Sequence, residues 1–304
     1  MLDPRLFQPL PPHERRRIGE EYIAFALRRD GEPDVVHRKL AKREEFFREL
    51  AARPAPKWDG EPIDPEEFAA FHEGSRPLSQ ARPLMAWLVR VARANEGEGW
   101  GVDYLLDRGG FDGLGKGGQG LRPRDFADLE EVYHTRILQE VVKLFGVTFE
   151  LREPPAAIQT SVKLMARLPH RASYLLLLAG ELMGTVAFLR MAEQGERLLE
   201  GHPEIQARVR ELLDEILVDE IGHVTYLLGS MGRFELAITR RLAVLYSQAA
   251  RRSYHGDDLS EARAIQDGIL HYSLALFPER VLRRAFVPEP YWPAAYARPA
   301  EIAA

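Results

Sequence analysis

Two Glu-x-x-His pairs are the residues of this sequence whose types and spacing best suit metal chemistry. One pair is Glu131 with His134, and the other is Glu220 with His223. Residues three apart point the same way from an α-helix, so each pair offers a carboxylate oxygen and an imidazole nitrogen on one face. With 9 His and 31 Glu in 304 residues, chance alone produces about one such pair, so the spacing by itself is weak evidence.

The apolar context of both pairs strengthens the prediction of a metal site. Placed on helices, the two pairs fall on stripes of apolar residues, namely Leu138, Val141 and Phe145 for the first pair and Leu213, Ile216 and Leu227 for the second. Burying a carboxylate in such surroundings costs several kcal/mol unless the carboxylate is paired or binds a metal. A cation held between these side chains removes that cost.

A further glutamate, Glu181, interrupts the most hydrophobic stretch of the chain, residues 174–189. Almost every face of a helix over this stretch is apolar, so no rotation of the helix takes Glu181 cleanly into water. The alternatives are a glutamate at a local gap in the surface and a protonated glutamate in the core. We expect Glu181 to be a third carboxylate ligand.

A fourth carboxylate is expected from the helix predicted over residues 79–108. Glu98 shares a stripe with apolar residues on both sides of it in the sequence, and it is the preferred candidate. Glu96 is the alternative, and a third interpretation places both glutamates in an exposed turn that Gly97 and Gly99 loosen.

Together these residues give the order Glu, Glu-x-x-His, Glu, Glu-x-x-His on four long predicted helices. Four-helix bundles that hold two metal ions use this arrangement. Four carboxylates and two imidazoles nearly neutralise two divalent ions, and oxygen ligands with a few nitrogens suit iron or manganese. The predicted metal-ligating and catalytic residues are Glu98, Glu131, His134, Glu181, Glu220 and His223.

The chain resembles the ferritin-like di-iron carboxylate proteins over about residues 80–230. The segment 217–226, Leu-Val-Asp-Glu-Ile-Gly-His-Val-Thr-Tyr, is similar to the Asp-Glu-x-x-His motif of that family's fourth helix. The resemblance implies that Asp219 supports the cofactor by contacting a ligand histidine without itself binding metal.

Within the superfamily, length and layout look most like the di-iron oxygenases that include p-aminobenzoate N-oxygenase. Those enzymes carry a further histidine four residues before the last motif's glutamate, where this chain has Ile216. The resemblance therefore implies the six-ligand set of the wider superfamily. It further implies a non-haem di-iron monooxygenase or oxidase that uses two Fe ions, or a Mn/Fe pair, to oxidise a small organic substrate with O2 and electrons from an unidentified donor.

The predicted fold is mainly α, a ferritin-like four-helix bundle with additional N- and C-terminal helices. The expected domains are an N-terminal helical extension (1–76), the di-metal bundle (77–232), and C-terminal helices with a tail that packs on the bundle (233–304). The glycine-rich segment 109–120 is expected to be a loop that gates the substrate.

Composition limits the other classes of function. The chain has no cysteine and a net charge of −5, which excludes thiolate chemistry and argues against binding to nucleic acid. No targeting segment and no membrane span is predicted, so we expect a cytoplasmic protein, with a homodimer as the commonest form of self-association. Two alternatives remain: a ferritin-like metal-storage or metal-buffering protein, and a metal-free helical interaction module.

Overall fold

The protein is mainly helical. A computed structural model describes residues 2–34, 37–107, 121–154, 156–253 and 259–297. Within these residues the α-helices are α1 (Pro12–Asp30), α2 (Ala41–Ala52), α3 (Pro65–His72), α4 (Pro83–Asp107), α5 (Pro123–Lys143), α6 (Ala156–Met165), α7 (His170–Leu198), α8 (Pro203–Ser230), α9 (Arg233–Ser253), α10 (Leu259–Leu270) and α11 (Glu279–Leu282). The mainly α fold class predicted from the sequence is confirmed.

Strand structure in the described residues is limited to one short antiparallel pair, β1 (Pro33–Asp34) and β2 (Lys39–Leu40). It joins α1 to α2, where the sequence breaks its helical pattern at Gly31 and Pro33. Gly31 has a φ of 81°, a conformation that glycine adopts without steric cost. In the sequence, residues 146–151 are the run that most favours a strand, but the described structure has no strand there.

Local chemistry explains two of the helix starts. The carboxylate of Asp64 accepts a hydrogen bond of 3.0 Å from the backbone N–H of Glu66, which caps α3 as its sequence predicts. The sequence predicts that the next long helix starts at Asp125, but helix α5 begins two residues earlier, at Pro123. Asp125 instead lies in the first turn, and its carboxylate accepts a hydrogen bond of 2.8 Å from the backbone N–H of Arg122.

Helix α4 remains helical through Gly97, Gly99 and Gly101. A glycine in a helix interior costs about 1 kcal/mol relative to alanine, so packing must offset this cost. An added Cβ at Gly99 would lie 3.2 Å from Leu151 Cδ1, which shows that the glycine permits a close approach. The side-chain amide of Asn95 also donates a hydrogen bond of 2.9 Å to the backbone carbonyl of Thr135, which joins α4 to α5.

Contacts divide the chain into two units. Unit 1 comprises residues 1–22, 168–190 and 214–304, and unit 2 comprises residues 23–167 and 191–213. Helices α1, α7 and α8 therefore contribute residues to both units. The domain boundaries predicted from the sequence, after residues 76 and 232, stay a prediction.

The core of unit 2 lies around Trp87 of α4, whose indole N–H donates a hydrogen bond of 2.9 Å to the carbonyl of Met191. Tyr133 of α5 is also buried, and its hydroxyl accepts a hydrogen bond of 2.9 Å from the backbone N–H of Leu40. The same hydroxyl donates to the carboxylate of Glu44 at 2.9 Å. These contacts fix one face of α5 against the segment that enters α2.

In unit 1 the helices pack closely. An added Cβ at Gly268 of α10 would lie only 2.5 Å from Val186 Cγ1 of α7, so the two helices approach through a position without a side chain. The ring of Tyr22 lies 5.0 Å from that of Tyr226 and 5.2 Å from that of Phe286, which joins α1, α8 and the C-terminal segment.

Helix α7 contains one window, Arg171–Leu198, that is long and apolar enough to cross a membrane by length and composition. In this structure 44% of its most apolar stretch is buried inside the protein. A buried core helix of a folded domain meets the same criterion, so length and hydropathy do not by themselves distinguish the two.

Candidate functional site

Three of the predicted ligands come together in unit 2, and we call them the α4–α5 group. The group consists of Glu98 from α4 and Glu131 and His134 from α5. His134 Nδ1 lies 3.1 Å from Glu131 Oε2 and 3.9 Å from Glu98 Oε2. Each residue offers one ligand atom, and these atoms all lie within 4.8 Å of one another. Such a set can surround one metal ion.

The helices explain why the α4–α5 group forms. Glu131 and His134 are three residues apart on α5, so both side chains leave the helix on the same face. The hydrogen bond from Asn95 to the carbonyl of Thr135 sets α4 beside α5 at this level. Glu98 lies one turn beyond Asn95 on α4 and therefore reaches the same face.

Two carboxylates so close together repel each other when both are ionised. Burial raises the pKa of Glu98 to about 8, and the negative charge of Glu131 adds to the effect. Burial likewise raises the pKa of Asp128 to about 6 against the opposing influence of Arg124. Without a cation, burial therefore favours the protonated form of Glu98, whereas a bound cation would favour its ionised form.

The second candidate on α4, Glu96, has a different partner. Glu96 Oε1 lies 3.0 Å from His72 Nε2 of α3, and both side chains are buried. The His72 ring stacks on Phe68 with the two planes only 7° apart. The polar or loop context of the seven histidines outside the Glu-x-x-His pairs predicts that they are solvated. For His72 this prediction is wrong, because the fold buries it beside a glutamate that is distant in sequence.

Alanine substitutions two residues apart on α4 separate the roles of Glu98 and Glu96. We expect Glu98→Ala to lower metal content, because it removes a carboxylate from the α4–α5 group. Glu96→Ala should keep the metal but lower the free energy of unfolding by about 1–3 kcal/mol, because it removes the carboxylate that lies 3.0 Å from the buried His72 Nε2. Metal analysis and urea denaturation of both variants test this, and metal loss in Glu96→Ala alone would refute the choice of Glu98.

The other three predicted ligands come together in unit 1, and we call them the α7–α8 group. This group consists of Glu181 from α7 and Glu220 and His223 from α8. His223 Nδ1 lies 3.5 Å from Glu181 Oε2, and the three ligand atoms lie within 4.8 Å of one another. The side chain of Glu181 is only 12% exposed and points toward the imidazole of His223.

Neighbouring residues on α7 shape the α7–α8 group. The hydroxyl of Thr185 lies 3.3 Å from Glu220 Oε2 and donates a hydrogen bond of 2.5 Å to the backbone carbonyl of Glu181. An added Cβ at Gly184 would lie 3.5 Å from Glu220 Oε2, so α7 presents little more than backbone to this carboxylate. The carboxylate of Glu220 therefore lies close to the backbone of α7 at Gly184 and close to the hydroxyl of Thr185.

Asp219, the predicted supporting residue, is 1% exposed and lies on α8 next to Glu220. Its proposed contact with a ligand histidine stays a prediction. Two of the histidines expected to be solvated have carboxylate partners: His37 Nδ1 lies 2.7 Å from Asp34 Oδ2, and His202 Nδ1 lies 2.5 Å from Asp59 Oδ1. The glycine-rich segment 109–120 lies outside the described residues.

Two tyrosines near the predicted ligands in sequence are core residues with neighbours of their own. Tyr133 is fixed by its hydrogen bonds to Leu40 and Glu44. Burial raises the pKa of Tyr226, and a hydrogen bond with Tyr174 adds to the effect. From the sequence, each could be an electron relay or, as preferred, a core aromatic with a hydrogen-bonded hydroxyl, and this geometry agrees with the preferred interpretation.

The two groups have the same composition: two glutamates and one histidine, with the histidine buried in each. Such buried or half-buried Glu and His side chains can hold a metal ion, and a cation would offset the cost of bringing carboxylates together away from water. Comparisons with protein-family models, with curated proteins and with solved structures find no match for the chain.

Proposed function

We propose that the protein is a non-haem di-iron oxygenase or oxidase that uses O2 to oxidise a small organic substrate. The observation that carries the proposal is the pair of matching groups, each with two glutamates and one histidine whose ligand atoms lie within 4.8 Å. One metal ion for each group gives the ligand set expected of a di-metal carboxylate bundle, with one Glu and one Glu-x-x-His contributed to each ion.

The chemistry of the donor atoms supports iron or manganese. The α4–α5 group and the α7–α8 group together supply four carboxylates and two imidazoles, and no thiolate is available because the chain has no cysteine. Hard oxygen donors with a few nitrogens suit Fe(II) and Mn(II), and four negative charges balance two divalent ions. The raised pKa of Glu98 further supports a cation at the α4–α5 group, since a cation stabilises the ionised form.

The long helices that carry the ligands support a ferritin-like arrangement. The ligands lie on α4, α5, α7 and α8, in the order Glu, Glu-x-x-His, Glu, Glu-x-x-His, and each of these helices has at least 21 residues. We propose that these four form the metal-binding bundle and that the remaining helices are additions to it.

The chain's own residues would hold and shield the metal. Glu98, Glu131 and His134 would bind one ion, and Glu181, Glu220 and His223 would bind the other. Fe(II) held by these residues would supply electrons for the reduction of O2. The apolar residues around Glu181 on α7 limit the access of water, which would protect a reactive oxidant and favour an apolar substrate.

Metal loading and O2 uptake test the proposal. Protein reconstituted anaerobically with Fe(II) and freed of excess metal should hold about two ions per chain. When O2 is admitted, the loaded protein should consume it. A supplied reductant should sustain this O2 consumption over many turnovers. His134→Ala and His223→Ala should each lower the content by about one ion, since each removes an imidazole from one group. His202→Ala is the matched control, because His202 pairs with Asp59 and belongs to neither group.

Metal content and assembly size together distinguish the oxygenase from the two alternative functions. A storage protein would take up iron far beyond two ions per chain and would elute as a large assembly in size-exclusion chromatography. A metal-free interaction module would hold less than about one ion per chain after reconstitution. Two ions per chain without O2 consumption would contradict the oxygenase proposal while leaving a metal site in place.

A further inference from the structure

Tyr272 lies just after α10, outside the segment 77–232 that the sequence predicts to hold the metals. Its side chain is fully buried, and its ring lies 5.7 Å from that of Phe277. Its backbone carbonyl accepts a hydrogen bond of 3.0 Å from the N–H of Asp3. The residue is therefore fixed in place within unit 1 by contacts with Asp3 and with the segment that follows α10.

The position of Tyr272 relates it to the α7–α8 group. One turn earlier, Gly268 brings the backbone of α10 directly against Val186 of α7. The Tyr272 hydroxyl consequently lies beside Thr185, the neighbour of Val186 and the residue whose own hydroxyl reaches Glu220. Both carboxylates of the α7–α8 group, Glu220 and Glu181, act electrostatically on the phenol.

The hydroxyl of Tyr272 has no partner in hydrogen-bond geometry among the residues that the structure describes. A buried hydroxyl without a partner costs about 1–3 kcal/mol, so such groups are rare unless a ligand or water completes them. Burial raises the pKa of Tyr272, and the charge of Glu220 adds to the effect. A phenol has an ordinary pKa of about 10, so its hydroxyl can donate a hydrogen bond at neutral pH.

We propose that the Tyr272 hydroxyl, with Thr185 beside it, forms a subsite that donates a hydrogen bond to a small anion or water-sized ligand on the metal at the α7–α8 group. The proposal rests on the proposed function, since carboxylates alone would repel an anion. Both Tyr272 and Thr185 are fully buried, which limits the ligand to a few atoms. Through Tyr272, the C-terminal region would contribute directly to ligand binding at the α7–α8 group.

Azide binding to the Co(II)-loaded full chain tests this proposal. Co(II) reports its coordination through visible d–d absorption, and azide is a small anionic ligand that accepts hydrogen bonds. Tyr272→Phe should keep Co(II) content and Co(II) affinity but weaken azide binding about tenfold, because it removes one hydrogen bond to a charged ligand. The position of the d–d bands in the azide complex should also shift.

Tyr291→Phe is the matched control. Tyr291 is another buried tyrosine of unit 1 whose hydroxyl lacks a partner in the described structure, and the charged residue that acts on it is Glu14. This variant should bind azide as the original protein does. Equal azide affinity in Tyr272→Phe, a loss of Co(II) affinity without a change in azide affinity, or the absence of azide binding altogether would overturn the subsite. Absence of Co(II) binding to the original protein would instead overturn the proposed function.

Discussion

Replacing Glu181 with alanine is expected to lower the metal content of the loaded protein from about two ions per chain to about one. The carboxylate of Glu181 lies 3.5 Å from His223 Nδ1 in an almost fully enclosed position, so its removal takes one of three protein ligands from the α7–α8 group. Helix content should be preserved, because alanine is the best helix former and the change removes a buried charge. Metal analysis and circular dichroism of the reconstituted variant measure both effects.

Glu196→Ala provides the control for this prediction. Glu196 lies on the same helix, α7, but its carboxylate forms an ion pair of 2.7 Å with Arg210 at a half-exposed position. We expect this variant to retain its full metal content, because a surface ion pair of this kind contributes no more than about 1 kcal/mol to stability. An unchanged metal content in Glu181→Ala would show that Glu181 is not a ligand.

Without bound metal, the free energy of unfolding of the protein is expected to decrease as the pH rises. The pKa of Glu98 is about 8 in the folded protein, against an ordinary value of 4.5. Between these values the folded state binds this proton more tightly than the unfolded state, so the contribution of Glu98 to the free energy of unfolding decreases with pH inside this window and is constant outside it. The decrease due to Glu98 is at most about 5 kcal/mol.

Bound metal should reverse this dependence. Ionised carboxylates are the ligands, so the proton on Glu98 competes with the cation and metal affinity increases as the pH rises toward about 8. Urea denaturation between about pH 5 and pH 8, with and without saturating Mn(II), measures both slopes. The Glu98→Gln variant cannot ionise at this position and should show a flatter profile without metal. The same slope in the variant and the original protein would assign the effect to other groups.

Local features of the sequence were sufficient to predict most of the helices. The cap at Asp64 and the apolar periodicity that places Glu131 and His134 on one face depend only on neighbouring residues and on the geometry of the α-helix. The start of α5 was wrong by two residues, because Asp125 serves as well in the first turn as at the cap. Boundaries depend on competition between nearby capping residues, which periodicity does not resolve.

The partners of the candidate ligands were decided by tertiary structure. Stripe position favoured Glu98 over Glu96, but only packing shows that Glu96 faces His72 while Glu98 faces His134. The pairing of His72 depends on how α3 lies against α4, which no local pattern encodes.

The sequence alone was sufficient to assign the candidate ligands to helical faces, because the direction of a side chain from a helix depends on local chain geometry. The placement of Tyr272 near the α7–α8 group was decided by the fold alone. That residue is about fifty positions from Glu220, and the close approach of α10 to α7 at Gly268 brings the two together. Contacts between distant segments depend on how whole helices pack, so only the tertiary structure reveals them.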